Sequence, residues 1–169
     1  MELREIAAEE FCHCPVSVFG RKKLLLTAEG ADGRANAMTV GWGGIGYFWG
    51  VPVVFYGIRP ERYTFSFAEE GSNVSLCAFS EEYAGALAYC GTHSGKEGDK
   101  WSGAGLTRIR TPDGITAVAE AQLIITAAKS YAMRLSEDGF FNKDHLTWYR
   151  QGGYHTVYFS TIRHIYLKE

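Results

Sequence analysis

ITAVAEAQLIITAAKSYAMRL, residues 115–135, is the stretch on which the fold turns. Its alanines favour a helix, whereas Ile115, Thr116, Val118, Ile124, Ile125 and Thr126 are β-branched and favour a strand. The neighbouring segments decide between them. Residues 51–58, VPVVFYGI, form a continuous apolar run of β-formers fit for a buried strand. Residues 73–79 and 154–167 also read as strands, and a sheet needs partners. Residues 115–135 are therefore read as two strands or one long bent strand.

Working outward, residues 16–27 read as a strand pair or a long strand interrupted at 20–23. Ala31-Asp32-Gly33-Arg34 is a turn signal. Residues 36–40 read as a strand that enters a glycine-rich bend over 41–50. Arg59-Pro60 ends the strand at 51–58, and Pro60 is placed to start a short helix over 61–70, closed by Gly71. Ser80 offers an N-cap for a second helix. Its apolar face is Tyr83, Ala86, Leu87 and Cys90, at i, i+3, i+4 and i+7, and Gly91 ends it. Strands dominate, and strands and helices do not alternate as βαβ units require. The expected fold is mainly β: an antiparallel β-barrel with short helices, one domain over residues 1–169, with 1–14 as an N-terminal arm.

Composition narrows the function classes. A net charge of −2 argues against a general nucleic-acid binder. No apolar run reaches membrane-spanning length, and MELREIAAEEF lacks the basic start and apolar stretch of a signal peptide. The expectation is a cytoplasmic protein with neither nucleic-acid nor membrane partners. Cys12, His13 and Cys14, with Cys90 and His93, look at first like metal ligands. C-x-C is too tight for the usual zinc knuckle and no second C-x-x-C exists, so no metal is expected. Cys77 and Cys90 read instead as small buried apolar residues. Aromatic residues reach 14%, enough to supply a flat-ligand site or an aromatic subunit interface besides the core.

The loops carry the chemistry. Residues 90–101, CGTHSGKEGDKW, are glycine-rich and follow the second helix; Thr92, His93, Ser94, Lys96 and Lys100 make them suited to an anion. The spacing is wrong for a Walker loop, because Glu97 follows Lys96 where a hydroxyl is needed. GWGGIG at 41–46 matches a dinucleotide fingerprint in letters, yet aromatic residues and Pro52 follow it rather than a helix. Arg59, Arg62, Tyr63 and Thr64 lie at a strand end and helix start, where free N–H groups and arginine forks favour phosphate. Asn36 and Thr39 are polar residues in an apolar strand, and Gly41 and Gly43 permit close approach to a flat ring. The competing reading is a solvated charged surface and a bulged strand.

NAMTVGWG at 36–43, RPERYT at 59–64 and ALAYCGTHSGK at 86–96, in this order, resemble the flavin reductase-like family, which includes flavoredoxin-type proteins. The resemblance runs from about Pro15 to the C-terminus. It implies a split β-barrel that binds FMN non-covalently, as a homodimer with the flavin near the subunit interface. Carried over by position, Asn36, Met38, Thr39 and Trp42 would line the isoalloxazine. Arg59, Arg62, Tyr63 and Thr64 would hold the phosphate and ribityl chain, and Thr92, His93, Ser94, Lys96 and Lys100 would close around the phosphate. The implied activity is a flavin reductase that passes hydride from NADH or NADPH to FMN, with an electron-acceptor protein as a further partner. The alternatives are an FMN-binding electron carrier of flavoredoxin type and a non-redox phosphate-ligand binding module. The pyridoxamine phosphate oxidase-like split barrels are the other family considered. Hydride transfer requires no general acid or base, so no catalytic residue is assigned. His93 and His155 are candidates for tuning or proton delivery, or are hydrogen-bonded structural histidines.

Overall fold

In the computed structural model, which describes residues 2–169, the deciding stretch resolves into two strands, residues 116–118 and 123–134. Ten strands occur among the described residues. They are β1 (Leu3–Ile6), β2 (Leu24–Glu29), β3 (Ala35–Val40), β4 (Gly43–Phe48), β5 (Val51–Ile58), β6 (Asn73–Ala78), β7 (Arg108–Arg110), β8 (Thr116–Val118), β9 (Leu123–Arg134) and β10 (Thr156–Lys168). Three α-helices join them: α1 (Thr64–Glu70), α2 (Ala84–Thr92) and α3 (Lys100–Gly103). No described helix is long and apolar enough to cross a membrane.

Eight strands form one antiparallel sheet in the order β3-β2-β6-β9-β10-β5-β4, with β1 also on β10; β7 and β8 form a separate ribbon. The ladder does not close between its end strands β3 and β4 among the described residues. β10 spans two neighbours on one side, pairing β5 through Thr156–Thr161 and β1 through Ile165–Lys168. Register shifts against β9 at Phe159/Ser160 and Ile162/His164 bend it between them.

Burial explains why the central strands lack polar alternation. In β2, Leu24, Leu26 and Ala28 enter one apolar cluster while Leu25 enters a second on the other face. β6 divides likewise, with Val74 and Leu76 against Cys77, and so does β9, with Leu123, Ile125 and Ala127 against Ile124. The second cluster is covered by Leu87 and Cys90 of α2, Trp101 of α3 and Val118 of β8. The ribbon is also pinned through polar groups: the Thr27 and Ser75 hydroxyls donate to the Thr116 carbonyl at 2.7 and 2.8 Å. Both hydroxyls are buried and satisfied, as a core requires.

Several elements differ from the sequence reading. Residues 16–27 are not a strand pair, since Ser17–Lys22 form a π-helical turn before β2. The bend expected over 41–50 is mostly strand β4. It hairpins into β5 through Trp49 and Gly50, at φ 53° and 75°, the positive pair that tight two-residue turns need. The N-terminal arm is partly structured as β1, because its backbone completes the β10 ladder. α1 starts at Thr64 rather than 61; Arg59 to Arg62 form a turn, with the Arg62 N–H on the Arg59 carbonyl at 3.0 Å. A 3-10 segment, Lys143–Tyr149, was not legible from periodicity.

Gly43 has no room for a side chain, since a Cβ there would overlap the Phe55 carbonyl oxygen and the Phe19 ring. Its bareness therefore serves packing inside the protein, not approach to a ligand. Gly43→Ala is expected to cost about 1–3 kcal/mol by overpacking, read as a lower urea midpoint at unchanged slope. An unchanged midpoint would show that β4 yields without strain.

Candidate functional site

The end of β3, the link to β4, the end of β5 and the turn before α1 meet around an open cleft of about 340 Å³. Its lining includes Met38, Thr39 and Trp42 from the first motif, Arg59 and Arg62 from the second and Gly91 from the third. Lys23 and His155 complete it. Three cations therefore face this space, and no carboxylate lines it. Backbone geometry sets the floor: the Gly57 N–H donates to the Trp42 carbonyl at 3.1 Å, holding the β3–β4 link over the end of β5.

The three motifs are tied to one another directly. Arg62 Nη2 donates to the Gly91 carbonyl at 2.7 Å, joining the turn before α1 to the end of α2. Burial lowers the Arg62 guanidinium's pKa from its ordinary value. Thr39 Oγ1 donates to the Leu87 carbonyl at 2.5 Å, fixing β3 against α2. Asn36 Nδ2 donates to Thr64 Oγ1 at 2.9 Å, both groups buried, fixing β3 against α1. Lys96 Nζ stands 5.5 Å from the Tyr63 ring centroid. Gly95 lies so close to Asn36 and Tyr63 that a Cβ would collide with both. A second open space of about 690 Å³, lined by Asn36, Tyr63, Gly95 and Lys100 among others, adjoins these contacts.

Other residues singled out in the sequence are engaged elsewhere. Lys100 is buried, and its Nζ donates to the Ala37 and Cys90 carbonyls, both at 2.7 Å. Burial brings its pKa down to about 8. Its ammonium thus ties α2 to β3 from within and does not extend from the loop as a free cation. Thr92 Oγ1 donates back to the Ala88 carbonyl at 2.9 Å, and the exposed His93 ring stacks on Tyr89 at 3.9 Å. Both close the helix end rather than reach the cleft. Ser94 Oγ accepts from the Lys96 N–H at 3.2 Å and shapes the loop. Arg59 gives Nη2 to the Trp148 carbonyl at 2.6 Å, with its guanidinium 5.2 Å from the Tyr149 ring centroid.

Lys23 and the Trp148–Tyr149 pair escaped the sequence reading as site residues. Lys23 is held at φ 61°, a conformation set by the turn into β2. Trp148 is 62% exposed and lies in the 3-10 segment Lys143–Tyr149, which has no periodicity to mark it in the sequence. His155 lines the cleft, its ring 4.6 Å from that of Trp42, and its Nδ1 lies 2.8 Å from the Tyr149 hydroxyl. Burial, then the Arg59 charge, brings its pKa down to about 4, so it is neutral at neutral pH.

Comparison with known proteins concerns the fold and the family. No match was found among curated proteins. Solved structures share the fold at low identity. An FMN-binding domain of a flavin reductase-like enzyme from Shewanella baltica superposes with a TM-score of 0.71 at 10% identity, over 98% of this chain and 77% of that one. Flavoredoxin of Desulfovibrio vulgaris gives 0.70 at 18% identity, over 97% and 78%. A Shewanella frigidimarina protein described as having a split barrel domain gives 0.69 at 15% identity, over 88% and 67%. The family model described as flavin reductase like domain matches residues 17–169, every strand from β2 onward and all three segments around the cleft, and the chain belongs to that family.

Proposed function

We propose that this protein binds FMN non-covalently and acts as a flavin reductase, taking hydride from NADH or NADPH. The observation that carries the reading is the cleft's charge pattern: Lys23 and Arg62 without an opposing carboxylate, beside the flat rings of Trp42 and His155. Cations and aromatic faces in one space suit a phosphorylated, planar ligand.

The donor set fits FMN. Arg62 is half-buried, so its attraction to a phosphate is less screened than at the surface. Lys96, exposed on the adjoining loop, adds a further cation, and Ser94 adds a hydroxyl. Met38, Thr39 and Trp42 would flank the ring system, with backbone at Gly41 open to it. Bound FMN would supply the hydride-accepting chemistry; the protein's part is position and electrostatics. Neutral His155 adds no charge to the cleft. Its Nδ1 shares a hydrogen bond with the Tyr149 hydroxyl at 2.8 Å. An electron-acceptor protein is the partner that this reading calls for.

The reading extends to a homodimer. Phe48 and Trp49 at the β4–β5 hairpin and Tyr131 on β9 are more than half exposed, and they group with Phe159 of β10 at ring separations of 4.7 to 6.4 Å. Such a patch is costly in water and suits a second copy, as the family resemblance implies.

The purified protein is expected to be yellow, or to become so with added FMN, and to bleach under anaerobic NADH or NADPH. Flavin that binds but never bleaches would favour an electron carrier, and a colourless protein that cannot be reconstituted would remove both redox readings. Arg62→Ala is expected to weaken FMN binding by about 2–3 kcal/mol, as for a lost charged hydrogen bond. Flavin fluorescence titration measures this, and unchanged affinity would take Arg62 out of the site. Trp49→Glu should convert the dimer to a monomer in sedimentation analysis; an unaltered mass would place the interface elsewhere.

A further inference from the structure

The connection between β9 and β10, residues 135–155, touches two residues that line the cleft and contributes a third. Arg59 donates to its Trp148 carbonyl at 2.6 Å, Trp42 meets the Trp148 ring edge-on at 5.4 Å, and His155 meets the Tyr149 hydroxyl at 2.8 Å. The segment is a closed strap with an interior of its own. The Leu135 N–H bonds the His155 carbonyl at 2.9 Å across its base. Tyr149 stacks on Tyr154 at 4.7 Å, with Phe140 packed on both. Asn142 caps its 3-10 segment, its side-chain oxygen accepting from the Asp144 N–H at 3.0 Å.

We propose that Arg59 is a positioning residue for this strap, and that the strap makes Trp148 the residue that selects the second ring entering the cleft. The selected class is a flat aromatic ring, of which nicotinamide is one. This rests on the flavin reading above. The two arginines of the second motif have divided roles. Arg62 turns to Gly91 and the loop beyond α2, whereas Arg59 turns the opposite task to the strap, hydrogen-bonding one backbone carbonyl and covering one aromatic face. Trp148 does not line the cleft; it stands beside Trp42, which does, and is 62% exposed. An indole fixed through its own carbonyl at that place contacts what arrives after the flavin, not the flavin itself. A planar ring gains an aromatic contact there, and a puckered ring of equal polarity does not.

The test compares Arg59→Ala, Trp148→Ala, Trp148→Phe and the Arg59→Ala/Trp148→Ala double variant with the unaltered protein. FMN Kd should stay within about twofold in all of them, and KM for the nicotinamide donor should rise about fivefold to tenfold in each alanine variant. Trp148→Phe should recover most of the loss, and the double variant should be no worse than either single one, because both act through one contact. Oxidised nicotinamide mononucleotide, titrated calorimetrically into flavin-loaded protein, should lose affinity in parallel. Amide exchange over residues 143–150 should quicken in Arg59→Ala and not in Trp148→Ala. FMN affinity falling in Arg59→Ala as far as in Arg62→Ala would overturn the assignment, as would an unchanged KM in Trp148→Ala or additive losses in the double variant. The exchange measurement needs no flavin. Unchanged exchange in Arg59→Ala therefore refutes the strap's anchor even if the protein proves not to bind FMN, an outcome that would separately refute the flavin reading.

Discussion

The central strands β2, β6 and β9 carry apolar side chains on both faces, and the rest of the molecule answers that constraint. One face fills the interior of the curved sheet. The other would lie open to water unless something covered it, and α2, α3 and the β7–β8 ribbon do so. Hydrophobic burial therefore fixes where α2 ends. Gly91 is at that end, next to β3 and within reach of Arg62. A packing requirement of the sheet thus places one wall of the cleft.

Polar groups then lock what burial has placed. Thr39 reaches α2, Asn36 reaches Thr64, and Lys100 bridges α2 and β3 from inside. Each is a hydrogen bond in a low-dielectric setting, where leaving either partner unpaired is costly. Their effect on the site is indirect. They hold the three segments in register, so that Lys23, Arg62 and the aromatic rings keep a common orientation toward the cleft.

Charge is divided between fold and site in a way composition does not reveal. Of the cations grouped in the second motif and in residues 90–101, Lys100 faces inward, Arg59 serves the strap, Arg62 joins two segments, and Lys96 is exposed on the loop. A cluster that reads as a single phosphate clamp is in the structure a set of separate tasks. This is also why the nearby His155 is neutral: burial and the Arg59 guanidinium both disfavour its charged form.

Residues 51–58 were legible as a strand because a continuous run of β-branched and aromatic residues favours one, and residues 73–79 were read as the strand that follows the first helix. α2 was legible from its apolar spacing, and the three ordered motifs carried the family. The Gly41–Gly50 bend was misread because glycine weakens every local propensity, whereas β4 exists through its pairing with β5. β1 likewise has strand form only because β10 extends past β5 and offers it a partner. The destinations of Arg59 and Lys100 were beyond the sequence for a related reason. A long cationic side chain has no direction of its own, and goes to whichever carbonyls the fold brings near and leaves unpaired: Trp148 for one, Ala37 and Cys90 for the other. Sequence determined the buried strand at 51–58, the apolar face of α2 and which residues could bear the chemistry; tertiary structure alone decided which of those residues face the cleft, because that depends on contacts between segments far apart in the chain.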